Sequence, residues 1–259
     1  MSQIHFSETG KGQPVVFIHG FCEIGDMWEG IATALSDEFH VYYPDLPGFG
    51  RSPLEQDHMT LEEVAVMLEE WMDENKIKKP FIIGHSLGGY VALALLELMG
   101  NQIKGIGLIH STALADDEEK KQARNKTIAF LKKQGVEKFV TAFVPQLFTQ
   151  KTSNLFEKEI ILAVDQAKKS TLHGLIAFTH AMRDRKSRIA ILEDFKGPKL
   201  MIAGTEDGAV KIEASRIQQH LFTQYHELNG VGHMGQVERK DEVIEILRGF
   251  LKGGSQIRL

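Results

Sequence analysis

Residues 81–100 read FIIGHSLGGYVALALLELMG: a β-branched apolar run, a glycine, a serine, and an almost wholly apolar stretch that ends at Gly100. Phe81 to Ile83 has the composition of a buried strand, and Leu87 to Met99 that of a helix buried on all sides. The junction, Gly84-His85-Ser86-Leu87-Gly88, is therefore a tight strand-to-helix turn. Such a turn strains its central residue and exposes that side chain at the edge of a sheet. Glycine is required on both flanks because a Cβ there would meet the neighbouring strand or helix. The start of the helix also aims free amide groups and a partial positive charge at the same point. Ser86 is thereby a candidate nucleophile.

Outward from this stretch, apolar runs alternate with amphipathic ones. Pro14–Ile18, Phe39–Tyr43, Ile103–Ile109, Lys199–Ala203 and Phe222–Leu228 read as further buried strands. Leu61, Val64, Ala65, Leu68, Trp71 and Met72 step by three and four behind a Thr60/Glu63 capping pattern,. Val237–Leu251 closes the chain, with Val243, Ile246, Leu247 and Phe250 on one helical face. The alternation predicts an α/β fold, a doubly wound, mostly parallel sheet with helices on both faces.

Residues 112–190 break the rhythm with helical patterns and no convincing strand, around Ile128–Leu131, Phe139–Phe143, Ile160–Val164 and Leu172–Met182. They read as an inserted helical cap, or lid, on a core made of residues 1–111 and 191–259. Charge separates the two parts. The cap segment holds 15 Lys plus Arg against 9 Asp plus Glu, and the rest holds 15 against 26.

The whole chain of 259 residues carries a formal net charge of −5, which argues against a nucleic-acid partner, where a basic face supplies most of the affinity,. With 42% apolar and 25% charged residues it is an ordinary globular composition,. One cysteine, Cys22, excludes an internal disulfide and a Cys-rich zinc framework,. Residues 1–12 lack the apolar region of a secretory signal, and no apolar stretch nears the roughly 20 residues of a membrane span,. The expectation is a cytoplasmic protein with no membrane partner.

A serine hydroxyl is a weak nucleophile until a base takes its proton. Of eleven histidines, His233 lies in Gly230-Val231-Gly232-His233-Met234, between the last strand and the last helix and at the same sheet edge as Ser86. His110, at the end of another strand, is the best rival, and His85 is expected to turn its side chain away from Ser86. Asp207, just beyond the Lys199–Ala203 strand, can orient the imidazole, with Glu206 the neighbouring confounder. Asp45, in Asp45-Leu46-Pro47-Gly48-Phe49-Gly50, reads instead as a turn cap. Donors for a developing oxyanion are the backbone amides of Leu87 and Phe21. Cys22 reads as a small wall residue without a base beside it.

These residues, with HGF at 19–21, DLPGFGRS at 45–52, GHSLGGYVALAL at 84–95, GTED at 204–207 and GVGHM at 230–234, resemble the α/β-hydrolase fold family over nearly the whole chain. The resemblance implies a serine hydrolase of the esterase type, needing no cofactor and no metal. It makes Ser86 the nucleophile, His233 the base and Asp207 the acid, with Phe21 and Leu87 forming the oxyanion hole. One departure is visible: with only Ile4 to Ser7 ahead of Pro14, the family's usual first antiparallel strand is in question. The expected reaction is cleavage of a small carboxylic ester through an acyl-enzyme. C–C bond hydrolysis, thioester or lactone hydrolysis, and slow-turnover ligand reception are the alternatives on the same site. Phe130, Phe139, Phe143, Leu147, Phe148 and Phe178 are the candidate substrate contacts, favouring a small molecule with an apolar acyl or aryl group.

Overall fold

The apolar runs pair into one seven-stranded sheet in a computed structural model that describes residues 3–149 and 153–253. The strands are β1 (Phe6–Gly10), β2 (Gln13–Ile18), β3 (Phe39–Pro44), β4 (Phe81–His85), β5 (Gly105–Ile109), β6 (Lys199–Gly204) and β7 (Gln224–Leu228). Their spatial order is β1-β3-β2-β4-β5-β6-β7, and all neighbours are parallel except β1 with β3.

The first antiparallel strand, in question from the sequence, is present. Phe6 pairs with Pro44 and Gly10 with His40. It is an edge strand of half-buried and exposed residues, so it carries no apolar run to announce it,. Gly10, at φ 80°, makes the turn into β2 where a Cβ would lie 2.2 Å from the Phe39 carbonyl oxygen. At the opposite edge β7 is also only half buried.

The central strands are covered on both faces. Along β2, Val16 and Ile18 join one apolar cluster while Val15 and Phe17 join the other. The first cluster includes helices α2 (Leu61–Glu74) and α3 (Leu87–Met99). The second includes α1 (Glu29–Leu35) and the C-terminal helix, and the strand period of two explains the division,. The capping box predicted at Thr60 and Glu63 opens α2.

Between β5 and β6 the described residues form helices α4 (Glu118–Phe143), α5 (Glu157–Ala167), α6 (Leu172–Asp184) and α7 (Ile189–Asp194), joined by 3-10 turns. The first two helical patterns of the sequence are one run, α4, kinked at Gly135 with φ 80° and ψ 175°. This segment does not enclose a core of its own. Leu131, Val140, Ile176 and Phe178 belong to the same cluster as α2 and α3. It is seated by a close backbone approach: Thr171 N–H donates to Gly48 O at 2.8 Å, and a Cβ on Gly174 would lie 2.4 Å from that oxygen.

After β6 come α8 (Ile212–Arg216), β7, α9 (Gly235–Glu238) and α10 (Lys240–Leu251). The final helix expected from Val237 is thus divided at Arg239, whose φ of −138° is not helical. Among the described residues no helix is long and apolar enough to cross a membrane.

Candidate active site

Ser86 stands between β4 and α3 at φ 50° and ψ −115°, a conformation that L-residues rarely adopt,. Its surroundings hold it there. The Ser86 amide donates to Ile109 O at 2.9 Å, and the Ser86 carbonyl accepts from Ser111 Oγ at 2.7 Å and from Gly89 N–H at 2.9 Å. A Cβ on Gly84 would lie 2.2 Å from Gly88 O, and one on Gly88 would lie 2.2 Å from Ile18 O. Leu87 is the first residue of α3, so its N–H has no acceptor within the helix,. Phe21 lies just past β2 and lines the same cavity of about 250 Å³ as Ser86 and His233.

Loops after β6 and β7 bring Asp207 to His233. The His233 Nδ1–H donates to Asp207 Oδ2 at 2.8 Å, leaving Nε2 as the ring's basic atom,. Asp207 Oδ1 accepts from the amides of Ala209 at 2.8 Å and Val210 at 2.9 Å. Burial alone would raise this carboxyl, but His233 and His110 hold it far below the usual carboxylate range. Glu206, one residue away, is exposed and accepts from Thr149 Oγ1 at 3.1 Å. Asp45 takes the turn-capping position, accepting from Gly25 N–H at 2.7 Å and Arg51 N–H at 2.9 Å.

His110, the rival base, is held behind the site. Its Nε2 accepts from Gly235 N–H at 3.2 Å, so its Nδ1 carries the proton and donates to Asp207 Oδ2 at 3.1 Å. Burial pushes His110 down to about 4, and it is neutral at pH 7,. Two imidazoles therefore donate to one carboxylate oxygen. His110, Asp207 and His233 also group closely enough to hold a metal ion, their ligand atoms lying within 4.8 Å of one another. Both Nδ1 atoms are engaged with the carboxylate, so metal ligation would require displacing those protons.

A second imidazole–carboxylate pair lies beneath the first. Both ring nitrogens of His85 are engaged away from Ser86: its Nδ1–H donates to Glu23 Oε2 at 2.9 Å and its Nε2–H donates to the His233 carbonyl at 2.9 Å. Burial would lower His85, but the Glu23 charge raises it, while His85 in turn lowers Glu23. The same Glu23 oxygen accepts from Gly20 N–H, and its other oxygen is buried without a hydrogen-bond partner among the described residues. Cys22 is buried beside this pair, and burial followed by the Glu23 charge drives its thiol well up, away from thiolate chemistry,.

The six apolar candidates separate. Phe143 and Leu147 line the Ser86 cavity. Phe139 stands behind them, stacked on Phe143 with ring centroids 5.1 Å apart. Phe130 is 41% exposed on the outer side of α4, Phe148 packs near Phe156 and Met234, and Phe178 is buried against Phe49. These differences follow from helix rotation, which the apolar pattern alone left open. His173 pairs with Asp57 and His180 with His58, and neither lines this cavity.

Sequence reasoning passed over the polar wall. Asp116, Lys120, Arg124 and Thr127 line the cavity. Lys120, Arg124 and Thr127 are spaced by four and three along α4, so the helical period itself put them on one face,. A second cavity of about 330 Å³ shares Glu23 and Leu147 with the first and is lined by Cys22, Val144, Leu162 and Met234 among others.

Residues 13–240 match the family model described as alpha/beta hydrolase fold. The chain is 29% identical over 224 residues to a pimeloyl-[acyl-carrier protein] methyl ester esterase of Shewanella woodyi, covering 81% of each chain. The corresponding esterase of Vibrio cholerae is 43% identical over 89 residues, a match of 34% of this chain and 33% of that protein. A 3-oxoadipate enol-lactonase of Acinetobacter baylyi is 25% identical over 244 residues, 92% of this chain and 88% of that protein. Among solved structures, a malate-bound thermophilic esterase from Thermogutta terrifontis superposes with a TM-score of 0.91 at 25% identity, over 98% of this chain and 94% of that one.

Proposed function

The chain belongs to the alpha/beta hydrolase fold family, and from that premise we propose that it is a serine hydrolase cleaving a small carboxylic ester. One observation carries the reading. A serine at φ 50° faces a cavity that also receives a histidine whose Nδ1 is bound 2.8 Å from a buried aspartate. Relatives named as methyl ester esterase and enol-lactonase support the ester class.

In this mechanism Ser86 Oγ attacks the ester carbonyl carbon while His233 Nε2 takes the hydroxyl proton. Negative charge moves to the carbonyl oxygen, where the Phe21 and Leu87 amides donate to it. Collapse breaks the ester C–O bond, and the departing alcohol takes the proton from His233. Water then attacks the acyl-enzyme, again giving its proton to His233, and Ser86 leaves with that proton as the acid departs. Asp207 stays ionised throughout and stabilises the imidazolium. The step needs no cofactor. The apolar wall of Phe21, Phe143, Leu147 and Met182 favours an aliphatic or aryl portion of the substrate,.

Labelling by a fluorophosphonate, followed by turnover of a panel of esters, thioesters, lactones and a vinylogous diketone, tests this reading. Wild type is expected to label and to turn over esters fastest, and Ser86→Ala to do neither. A thioester, lactone or C–C substrate turned over faster than the esters would redirect the substrate class. No labelling and no turnover, with Ser86→Ala binding ligands like wild type, would make the chain a receptor rather than an enzyme.

A further inference from the structure

We propose that the Ser86 cavity contains an anion subsite formed by Lys120 and Arg124, and that the ester it cleaves carries a carboxylate at its far end. The inference rests on the serine-hydrolase reading and adds a substrate class to it.

The charges of the cavity wall do not cancel. Glu23 is paired with His85, as described above. Asp116, with its side chain 1% exposed, is paired with the buried Arg185 at 2.7 Å. Arg185 is itself fixed, 4.0 Å above the Tyr90 ring and donating to the carbonyls of Leu114 and Met182. Asp116 also accepts from Arg124 Nε at 3.2 Å, which orients that guanidinium but adds no second negative charge. Among the described residues the two terminal nitrogens of Arg124 have no hydrogen-bond partner, and the ammonium of Lys120 has neither a hydrogen-bond nor an ion-pair partner. After pairing, two positive charges remain in the wall of a cavity that Phe21, Phe143, Leu147 and Met182 also line.

Their placement runs against the local preferences of a helix. Asp117 caps α4 and accepts from the Lys120 amide, so Lys120 is in the first turn, where a cation opposes the helix dipole,. Lys120 and Arg124 are also four apart, a spacing at which like charges repel. Glu118, nearby, pairs with Lys121 rather than Lys120. A local conflict of this kind is expected where function sets the residue. A guanidinium whose Nε is held by a buried carboxylate presents its outer edge in a fixed orientation, suited to two-point recognition of a planar carboxylate. Phe143, Leu147 and Met182 line the same cavity and suit the chain that links this group to the ester carbonyl.

The test compares monomethyl adipate with methyl hexanoate, which differ in the terminal carboxylate, by methanol release from fluorophosphonate-titrated enzyme. Wild type is expected to favour monomethyl adipate in kcat/KM by tenfold or more. That ratio should fall at least tenfold in K120Q/R124Q, fall by a smaller factor in R124K, which keeps the charge but loses the two-point fork, and shrink as salt rises. A ratio near one in wild type, or one equal in wild type and K120Q/R124Q, would overturn the proposal while leaving the hydrolase reading intact. If neither ester turns over, protection decides. Adipate should slow fluorophosphonate labelling of wild type and not of K120Q/R124Q, and equal protection overturns the subsite. Absence of labelling in wild type would instead count against the hydrolase reading itself.

Discussion

At the scale of single residues, the two carboxylates beside β6 separate by environment rather than by chemistry. Asp207 is buried against His233, whereas Glu206 is exposed and bonded to Thr149. Asp207→Asn should lower kcat by roughly 10⁴-fold, because the amide cannot hold the ring in the required tautomer, and Glu206→Gln should stay within about twofold. Steady-state kinetics on one ester checks both, and the reverse pattern would move the acid to Glu206. Glu23 acts at one remove: it binds His85, and His85 holds the His233 carbonyl. Glu23→Gln replaces a charge-assisted bond by a neutral one, a loss of about 1 kcal/mol and so roughly five- to tenfold in kcat. The pH profile of kcat/KM should shift with it, while KM changes little. A variant of unchanged kcat and unchanged profile would reduce the pair to packing.

At the scale of elements, two glycines that look alike in sequence are opposites. Gly135 interrupts α4 at φ 80° and ψ 175°, backbone that essentially only glycine adopts, although nothing lies within 4 Å of the site of its missing Cβ,. Gly249 lies within α10, also with open space around it. Gly135→Ala should cost about 1–3 kcal/mol through backbone strain, and Gly249→Ala should add about 0.5–1 kcal/mol through helix propensity. Urea denaturation of the two variants measures both, and equal effects would contradict the kink. The element scale is also where sequence reading thinned. β4 and β2 announced themselves because both faces are buried. β1 did not, because half its surface faces solvent and alternating polar residues carry little signal. The arrangement of Ser86, His233 and Asp207 was legible because each lies at a strand end, where local glycines and chain order point to one sheet edge.

At the scale of the whole molecule, buried imidazoles couple stability to pH. His110, held at about 4 by burial, takes up its proton more readily in the unfolded chain, where its value is 6.5. The unfolded state therefore binds more protons between those values, and stability must fall as pH drops from 6.5 toward 4. The interval corresponds to about 3 kcal/mol for this one group,. His85 runs the other way. Its raised value contributes stability that is complete below its unfolded value and is lost only as pH rises through the folded one. Asp207 keeps its contribution until the pH falls below the ordinary carboxylate value. Denaturation midpoints at pH 7 and pH 5 should thus fall in wild type and fall less in His110→Gln. Equal slopes would show that His110 is already protonated in the native state.

The sequence by itself determined the alternation of buried strands and helices, the strained serine between Gly84 and Gly88, and the positions that follow β6 and β7. These are local properties, since periodicity, glycine at crowded turns and chain order are all written along the backbone. Only the tertiary structure decided that His110 shares the oxygen of Asp207, that Glu23 supports His85, and which face of α4 looks inward. Those partners lie 97 and 62 residues apart in the first two cases, and the third depends on how one helix is rotated against the rest. The packing of apolar faces sets that rotation, so Arg124 lines the cavity while Phe130, six residues further along the same helix, is 41% exposed and does not.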